Sequence, residues 1–251
     1  MSHHRAHDYR HLVERWRAVA RKTGVPLRRL TRADGFDVFS LRTPALRETG
    51  GIYVSAGIHG DEPGATEGLI TWAEGQGRRL AKMPLFLLPC LNPWGLVLNR
   101  RSNAAGEDLN RSFHREDLPV INAVKTLAAP YRFSASLMLH EDYDGQGVYL
   151  YEVQRVRPYW GEALLTAARA HLPTDPRPRI DGRKVTLGVH RRRPDRRRFA
   201  QIGYPEAIWL HQERSARTFT VETPSEFALE QRVAAQVAML DEMVRLVAAS
   251  E

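Results

Sequence analysis

The sequence predicts an α/β fold: a single domain on a mixed, mostly parallel β-sheet flanked by helices on both faces. Three observations lead there. Short apolar runs of strand length alternate with longer amphipathic runs through most of the 251 residues, as expected of a sheet covered on both sides. The polar groups His59/Glu62, His140 and Glu222 each follow an apolar run, as do site residues at the carboxyl ends of strands in open α/β sheets. No internal repeat or clear linker divides the chain. Residues 1–50 then supply an N-terminal helix and strands, 51–226 the core that carries the chemistry, and 227–251 a C-terminal helix.

Composition narrows the class. Apolar residues make up 43% and charged residues 26%, ordinary for a globular chain long enough to bury a substantial core. No run of 18 apolar residues occurs, so no membrane span is expected. The N-terminal MSHHRAHDYRHLVERWR lacks an apolar signal core, which makes the cytoplasm the expected compartment. One cysteine, Cys90, rules out an internal disulfide and suits reducing conditions. Lys and Arg exceed Asp and Glu by 37 to 29, a net charge of +8. Six of the eight residues Arg191–Arg198 are arginine. Without interleaved aromatics such a run reads as a solvated loop, and nucleic acid is not an expected partner.

Taken in order, His7–Lys22 has Leu12, Trp16, Val19 and Ala20 at helical spacing, with Gly24 as its stop. Strands are expected at Val25–Leu30 and Phe36–Leu41, about the turn Ala33-Asp34-Gly35. The central strand, Gly51–Ala56, runs into His59-Gly60-Asp61-Glu62 and a helix reaching about Glu74. Leu85–Leu91 is a buried strand, which makes Cys90 a core residue rather than a nucleophile. Leu96–Phe113 is irregular and polar, and a long irregular segment inside a domain is usually functional. A helix at Asp117–Leu127 and a strand at Phe133–Leu139 lead to His140. Strand Val148–Val153, helix Trp160–Leu172, strand Lys184–Val189, and strands Ile208–His211 and Thr218–Val221 follow. Phe227–Ala249 closes the chain as a helix, with Ser225 as its N-cap.

His59 and Glu62 are three residues apart, so at a helix start their side chains can converge. An imidazole and a carboxylate are half a zinc site, and a catalytic site needs one more ligand and an open position. His140 supplies that ligand. Zinc so held would polarise a carbonyl and acidify water. Glu222, at another strand end, could serve as general base and then as acid. Arg101 could stabilise an oxyanion. Asn110 and Arg111 pair a neutral with a charged donor, suited to gripping a carboxylate.

The pieces HGDE (His59–Glu62), NPWG (Asn92–Gly95), RSNAAGEDLNRSF (Arg101–Phe113), His140 after a strand and TVETPS (Thr220–Ser225) resemble, in the same order, the zinc metallocarboxypeptidases of the carboxypeptidase A type, the M14 peptidases. The resemblance covers roughly residues 50–226. It implies one zinc per chain on His59, Glu62 and His140. Arg101 would polarise the scissile carbonyl, with Arg100 as the alternative. Asn110 and Arg111 would hold the terminal carboxylate, and Glu222 would be the catalytic carboxylate. The implied activity is cleavage of a peptide or amide bond beside a carboxylate-bearing terminal residue, on a small peptide or acylated amino acid. The short span from Glu62 to His140 looks closer to compact bacterial branches, which include murein-peptide amidases cutting γ-D-glutamyl-diaminopimelate. An alternative shares the metal core: N-acyl amino acid deacylases of the aspartoacylase/succinylglutamate desuccinylase type. The chain departs from the pattern at Glu141 and Asp142, acidic residues after the third ligand, which stand open between metal support and rim charge. Tyr204 is the nearest counterpart of a tyrosine that many members place before the catalytic glutamate, although a core or loop role suits it better.

Overall fold

A computed structural model describes residues 5–191 and 203–250. Helix α1 (Tyr9–Thr23) begins at Asp8, whose side chain accepts the His11 amide, and ends at Gly24 in the left-handed conformation. A hairpin follows, β1 (Leu27–Ala33) and β2 (Phe36–Arg42), then β3 (Ile52–Ser55), α2 (Pro63–Gln76) and β4 (Leu85–Leu88). Next come α3 (Pro93–Leu98), α4 (Pro119–Ala128), β5 (Ala135–Asp142), β6 (Tyr149–Gln154) and α5 (Gly161–Ala168). A small hairpin of β7 (Arg179–Ile180) and β8 (Arg183–Lys184) precedes β9 (Val189–Arg191). Helix α6 (Glu206–Glu213), β10 (Arg217–Pro224) and α7 (Leu229–Ala248) complete it.

Eight strands form one sheet in the order β1-β2-β4-β3-β5-β10-β6-β9. Four of its seven pairings are parallel, so the sheet is mixed and mostly parallel. Alternate side chains go to opposite faces. Ile52, Val54, Leu137, Leu139, Phe219 and Val221 join one core with residues of α1, α2, α5 and α7. Tyr53, Phe86, Leu88 and Met138 join a second with residues of α4 and α6. Neighbouring β3 lie β4 on one side and β5 on the other, so the chain reverses its direction of travel across the sheet there. That switch point opens a crevice at the strands' carboxyl ends.

Several expected elements are corrected. Ile208–His211 is helix, inside α6, not strand. A short apolar run carries no period of its own, and Pro205 at the N-cap starts a helix where it would interrupt a ladder. Strands β5 and β10 run past their apolar stretches, because they stay paired as far as Asp142 and Pro224. His140 and Glu222 therefore sit within strands, directly paired, rather than beyond them. Conversely β4 stops at Leu88, and the run expected as one strand, Lys184–Val189, is broken: Lys184 ends β8, Val189 begins β9, and residues 185–188 connect them. The cap of α7 is Ala228, without a side-chain bond, not Ser225. Of the basic run, Arg191 ends β9 and pairs with Glu152 (2.9 Å) and Glu162 (2.9 Å). Its residues 192–198, like His3 and His4, lie outside the described residues.

Candidate active site

Strand β3 delivers His59 through the tight passage Ala56–Ile58. Gly60 is obligatory there, since a Cβ on it would lie 1.9 Å from the Gly95 backbone. The HGDE and NPWG segments thus touch backbone to backbone. Glu62 then caps α2, with Pro63 at its first position. Its carboxylate faces both histidines: Oε1 is 2.6 Å from His59 Nδ1 and Oε2 is 2.9 Å from His140 Nδ1. All three side chains are buried, and their potential ligand atoms lie within 4.8 Å of one another. Two imidazoles and a carboxylate so gathered form a set that could hold a metal ion. His59 Nε2 meets Asp108 Oδ1 at 3.2 Å, the kind of outer carboxylate contact that orients a ligating imidazole, here with Nδ1 facing Glu62.

Asp108, within the RSNAAGEDLNRSF stretch, orients its neighbours. Its Oδ1 also accepts the Asn110 amide (2.9 Å), and its Oδ2 accepts Arg101 Nε (3.1 Å). One carboxylate thereby ties the histidine, the arginine and the start of the Asn110-Arg111 turn together. Asn92 holds the other side of that loop. Its Oδ1 accepts the Gly95 amide and its Nδ2 donates to the carbonyls of Arg101 (3.2 Å) and Ser102 (3.0 Å). Arg101 Nη1 lies 3.5 Å from Glu62. Arg101, not Arg100, lines the cavity.

That cavity, about 550 Å³, is lined by His59, Glu62, Arg101, Asn110, Arg111 and Glu222 among others. Six of the seven residues singled out in the sequence line it, and the seventh, His140, touches Glu62 from the sheet beneath. Glu222 is paired with His140 on one side and Tyr149 on the other. Thr218 and Thr220 continue its face of β10 as the floor, and α6 contributes Ala207 and Ile208. Arg111 Nη1 reaches its neighbour's carbonyl, Asn110 O, at 3.0 Å.

Glu141 and Asp142 part company. Glu141 is buried away from chemistry, bound by Arg232 Nη1 (2.5 Å) and by the Gly64 amide (2.8 Å). Asp142 lies at the cavity wall, where it accepts from Tyr149 Oη (2.9 Å) and Arg177 Nη2 (3.2 Å). Tyr204 exchanges backbone bonds with Arg111 and Phe113 and gives its hydroxyl to Gln212. Cavity tyrosines come instead from β6, as Tyr149 and Tyr151.

The electrostatics suit a cation. Burial alone would pull His59 down, but the carboxylates of Glu62 and Asp108 outweigh it and raise the imidazole to about 9. Glu62 goes the other way: burial pushes it up, and the two histidines hold it well below the usual range. Glu222 is pushed up to about 8, by burial first and by the nearby Glu62 and Asp142 charges against the pull of His140. A carboxyl raised in this way is poised to exchange a proton near neutrality.

Comparison with known proteins agrees with this geometry. Residues 48–143 match the succinylglutamate desuccinylase/aspartoacylase catalytic domain. The chain is 34% identical over 103 residues to carboxypeptidase SOL1 of Arabidopsis thaliana, a match covering 33% of this chain and 21% of that protein. It therefore spans about a fifth of that relative's length. Among solved structures, a candidate metallopeptidase of Shewanella denitrificans superposes with a TM-score of 0.85 at 22% identity, covering 97% of this chain and 92% of that one. The murein-tripeptide amidase of Escherichia coli O157 gives 0.62 at 17% identity, over 88% and 91%. A Pseudomonas aeruginosa metallo-carboxypeptidase, solved with (2-guanidinoethylmercapto)succinic acid, gives 0.62 at 20% identity, over 96% and 68%. These likenesses show a shared fold, and that fold is carboxypeptidase-like.

Proposed function

We propose that this chain, carboxypeptidase-like in fold, is a zinc-dependent hydrolase of the M14 type that cleaves a peptide or amide bond beside a carboxylate-bearing terminal residue. One observation carries the reading: the His59/Glu62/His140 set, Glu222 and the Asn110-Arg111 pair meet around one cavity. His59, Glu62 and His140 would hold the ion, and their donor types and separations fit zinc. Zinc, when bound, polarises the carbonyl and acidifies water in its open position. Arg111 and Asn110 hold the substrate carboxylate through paired donors. Glu222 takes the proton of the attacking water and passes it to the leaving nitrogen. Arg101, steered by Asp108, donates to the carbonyl oxygen as charge develops on it.

A cavity of about 550 Å³ suits a small peptide or an acylated amino acid. A cytoplasmic setting belongs to the same proposal, since a lone buried thiol at Cys90 is at home under reducing conditions. The match of residues 48–143 to the desuccinylase/aspartoacylase domain favours a second reading, removal of an N-acyl group from an amino acid. A panel of α-linked and γ-D-glutamyl peptides beside N-acetyl- and N-succinyl-amino acids separates them. Release of a terminal residue from the peptides supports the first reading, and preference for the acylated amino acids supports the second. No turnover by zinc-loaded protein overturns both. Glu222→Gln should lower kcat by about 10²–10⁴-fold at unchanged metal content; full activity in that variant would remove Glu222 from the mechanism.

A further inference from the structure

Beneath the cavity lies a carboxyl that the mechanism does not use. Glu206, the first residue of α6, is fully buried. Its Oε1 accepts Tyr53 Oη at 2.5 Å and its Oε2 accepts Ser55 Oγ at 2.9 Å. Both donors stand on one face of β3, the strand that leads into His59 and Glu62. The backbone N–H of Glu206 donates to Asn110 Oδ1 at 3.0 Å.

Each bond has a directional consequence. An N–H can meet only the oxygen of the Asn110 amide, so Oδ1 is fixed toward α6 and the Nδ2 hydrogens are left as the part of Asn110 that can serve the cavity. The N–H itself is one of the donors a helix start leaves unsatisfied. Its position depends on where the first turn of α6 is anchored, and the Glu206 carboxyl is what bonds that turn to β3. Asn110 is thus held at two points, its backbone N–H by Asp108 and its side-chain oxygen by α6. An apolar residue could fill the volume at lower desolvation cost, but it could not direct the turn toward two hydroxyls on β3, the strand that leads into His59 and Glu62.

We propose that Glu206 is a positioning residue for substrate recognition: through its bonds to Tyr53 and Ser55 it sets the start of α6, and so aims the Asn110 amide at the substrate carboxylate. The inference rests on the proposed carboxylate grip of Asn110 and Arg111. It adds that the grip is registered from below to β3, which leads into His59 and Glu62, by a residue that touches neither metal nor substrate.

The test is a binding measurement that needs no turnover. An N-acetyl dipeptide and its C-terminal amide are titrated calorimetrically into zinc-loaded protein carrying Glu222→Gln, so that neither is consumed. Adding Glu206→Met should weaken the carboxylate ligand about tenfold, the worth of one well-aimed bond to a charged group. The amide ligand should change less than about twofold, metal content should be unchanged, and Glu206→Gln should restore most of the affinity. Unchanged carboxylate affinity, or equal loss for both ligands, would overturn the proposal and leave Glu206 as a brace. If Glu206→Met does not fold, Ser55→Ala asks the same question, with a loss of about threefold expected for the carboxylate ligand alone, and no loss again counting against it. Arg111→Ala is the control. If it too leaves carboxylate binding intact, the grip itself is wrong; if it weakens binding while the Glu206 variants do not, only this inference falls.

Discussion

On the side of β3 and β5, the cavity is held by two carboxylates that are each tied more than once. Glu62 meets both histidines and the Glu141 amide, and Asp108 meets His59, Arg101 and the Asn110 amide. On the side of β6 and the β7–β8 hairpin, the wall is threonine, tyrosine and valine, with Tyr151 reaching Asp181 at an exposed turn. The first side is fixed by charge and burial together. The second is fixed mainly by strand register, in which Thr220 faces Tyr151 and Thr218 faces Val153. The metal-ligand side is therefore held by more side-chain bonds than the β6 wall.

The bluntest way to break that contrast is to remove a metal ligand. His140→Ala should abolish metal binding, taking elemental analysis from about one ion per chain to none and activity with it. A variant that kept its metal would dissolve the distinction between the two sides. Arg111→Ala should strike substrate binding alone. We expect KM to rise about 10–100-fold as a charge-assisted pair is lost, with kcat and metal content little changed. A fall in kcat at constant KM would instead place Arg111 with the reacting groups.

The third effect is graded by pH and belongs to the metal side. His59 is raised from 6.5 to about 9, so the metal-free fold holds a proton that an ion must displace. Metal affinity should then rise with pH, about tenfold per unit for one proton, and level off past the raised value. The same proton stabilises the metal-free fold fully below 6.5 and is lost as pH climbs through about 9. Melting of metal-free protein should accordingly fall across that window, while the zinc-loaded protein stays nearly flat. Parallel melting curves for the two forms would show that His59 carries no such proton.

The contrast also explains what could be read in the sequence. His59, Glu62, Arg101, Asn110 and Arg111 lie in short local patterns whose spacing survives folding, and alternating strand and helix patterns gave the layered sheet. What stayed hidden depends on pairing at a distance. Nothing local says that β5 continues through His140, because that is set by β10 beside it. Nothing in Ile208–His211 says helix until Trp209 stacks on Phe113, 5.4 Å away, and with the segment taken as strand, Glu206 had no visible role. Asp108 was legible as an orienting residue, since an acid two residues before Asn110 is placed to cap that turn.

The pairing of Glu141 with Arg232 has a consequence in time. Glu141 adjoins the third candidate ligand and is buried, and its countercharge comes from α7. Leaving one member of such a pair buried alone costs about 3–5 kcal/mol. A growing chain on the ribosome exposes His59, Glu62 and His140 well before Arg232 emerges. Until it does, burying the strand that holds His140 leaves Glu141 without its countercharge. The His59/Glu62/His140 set is therefore expected to reach its final geometry only once α7 docks, so an ion bound there would mark a finished fold rather than seed one.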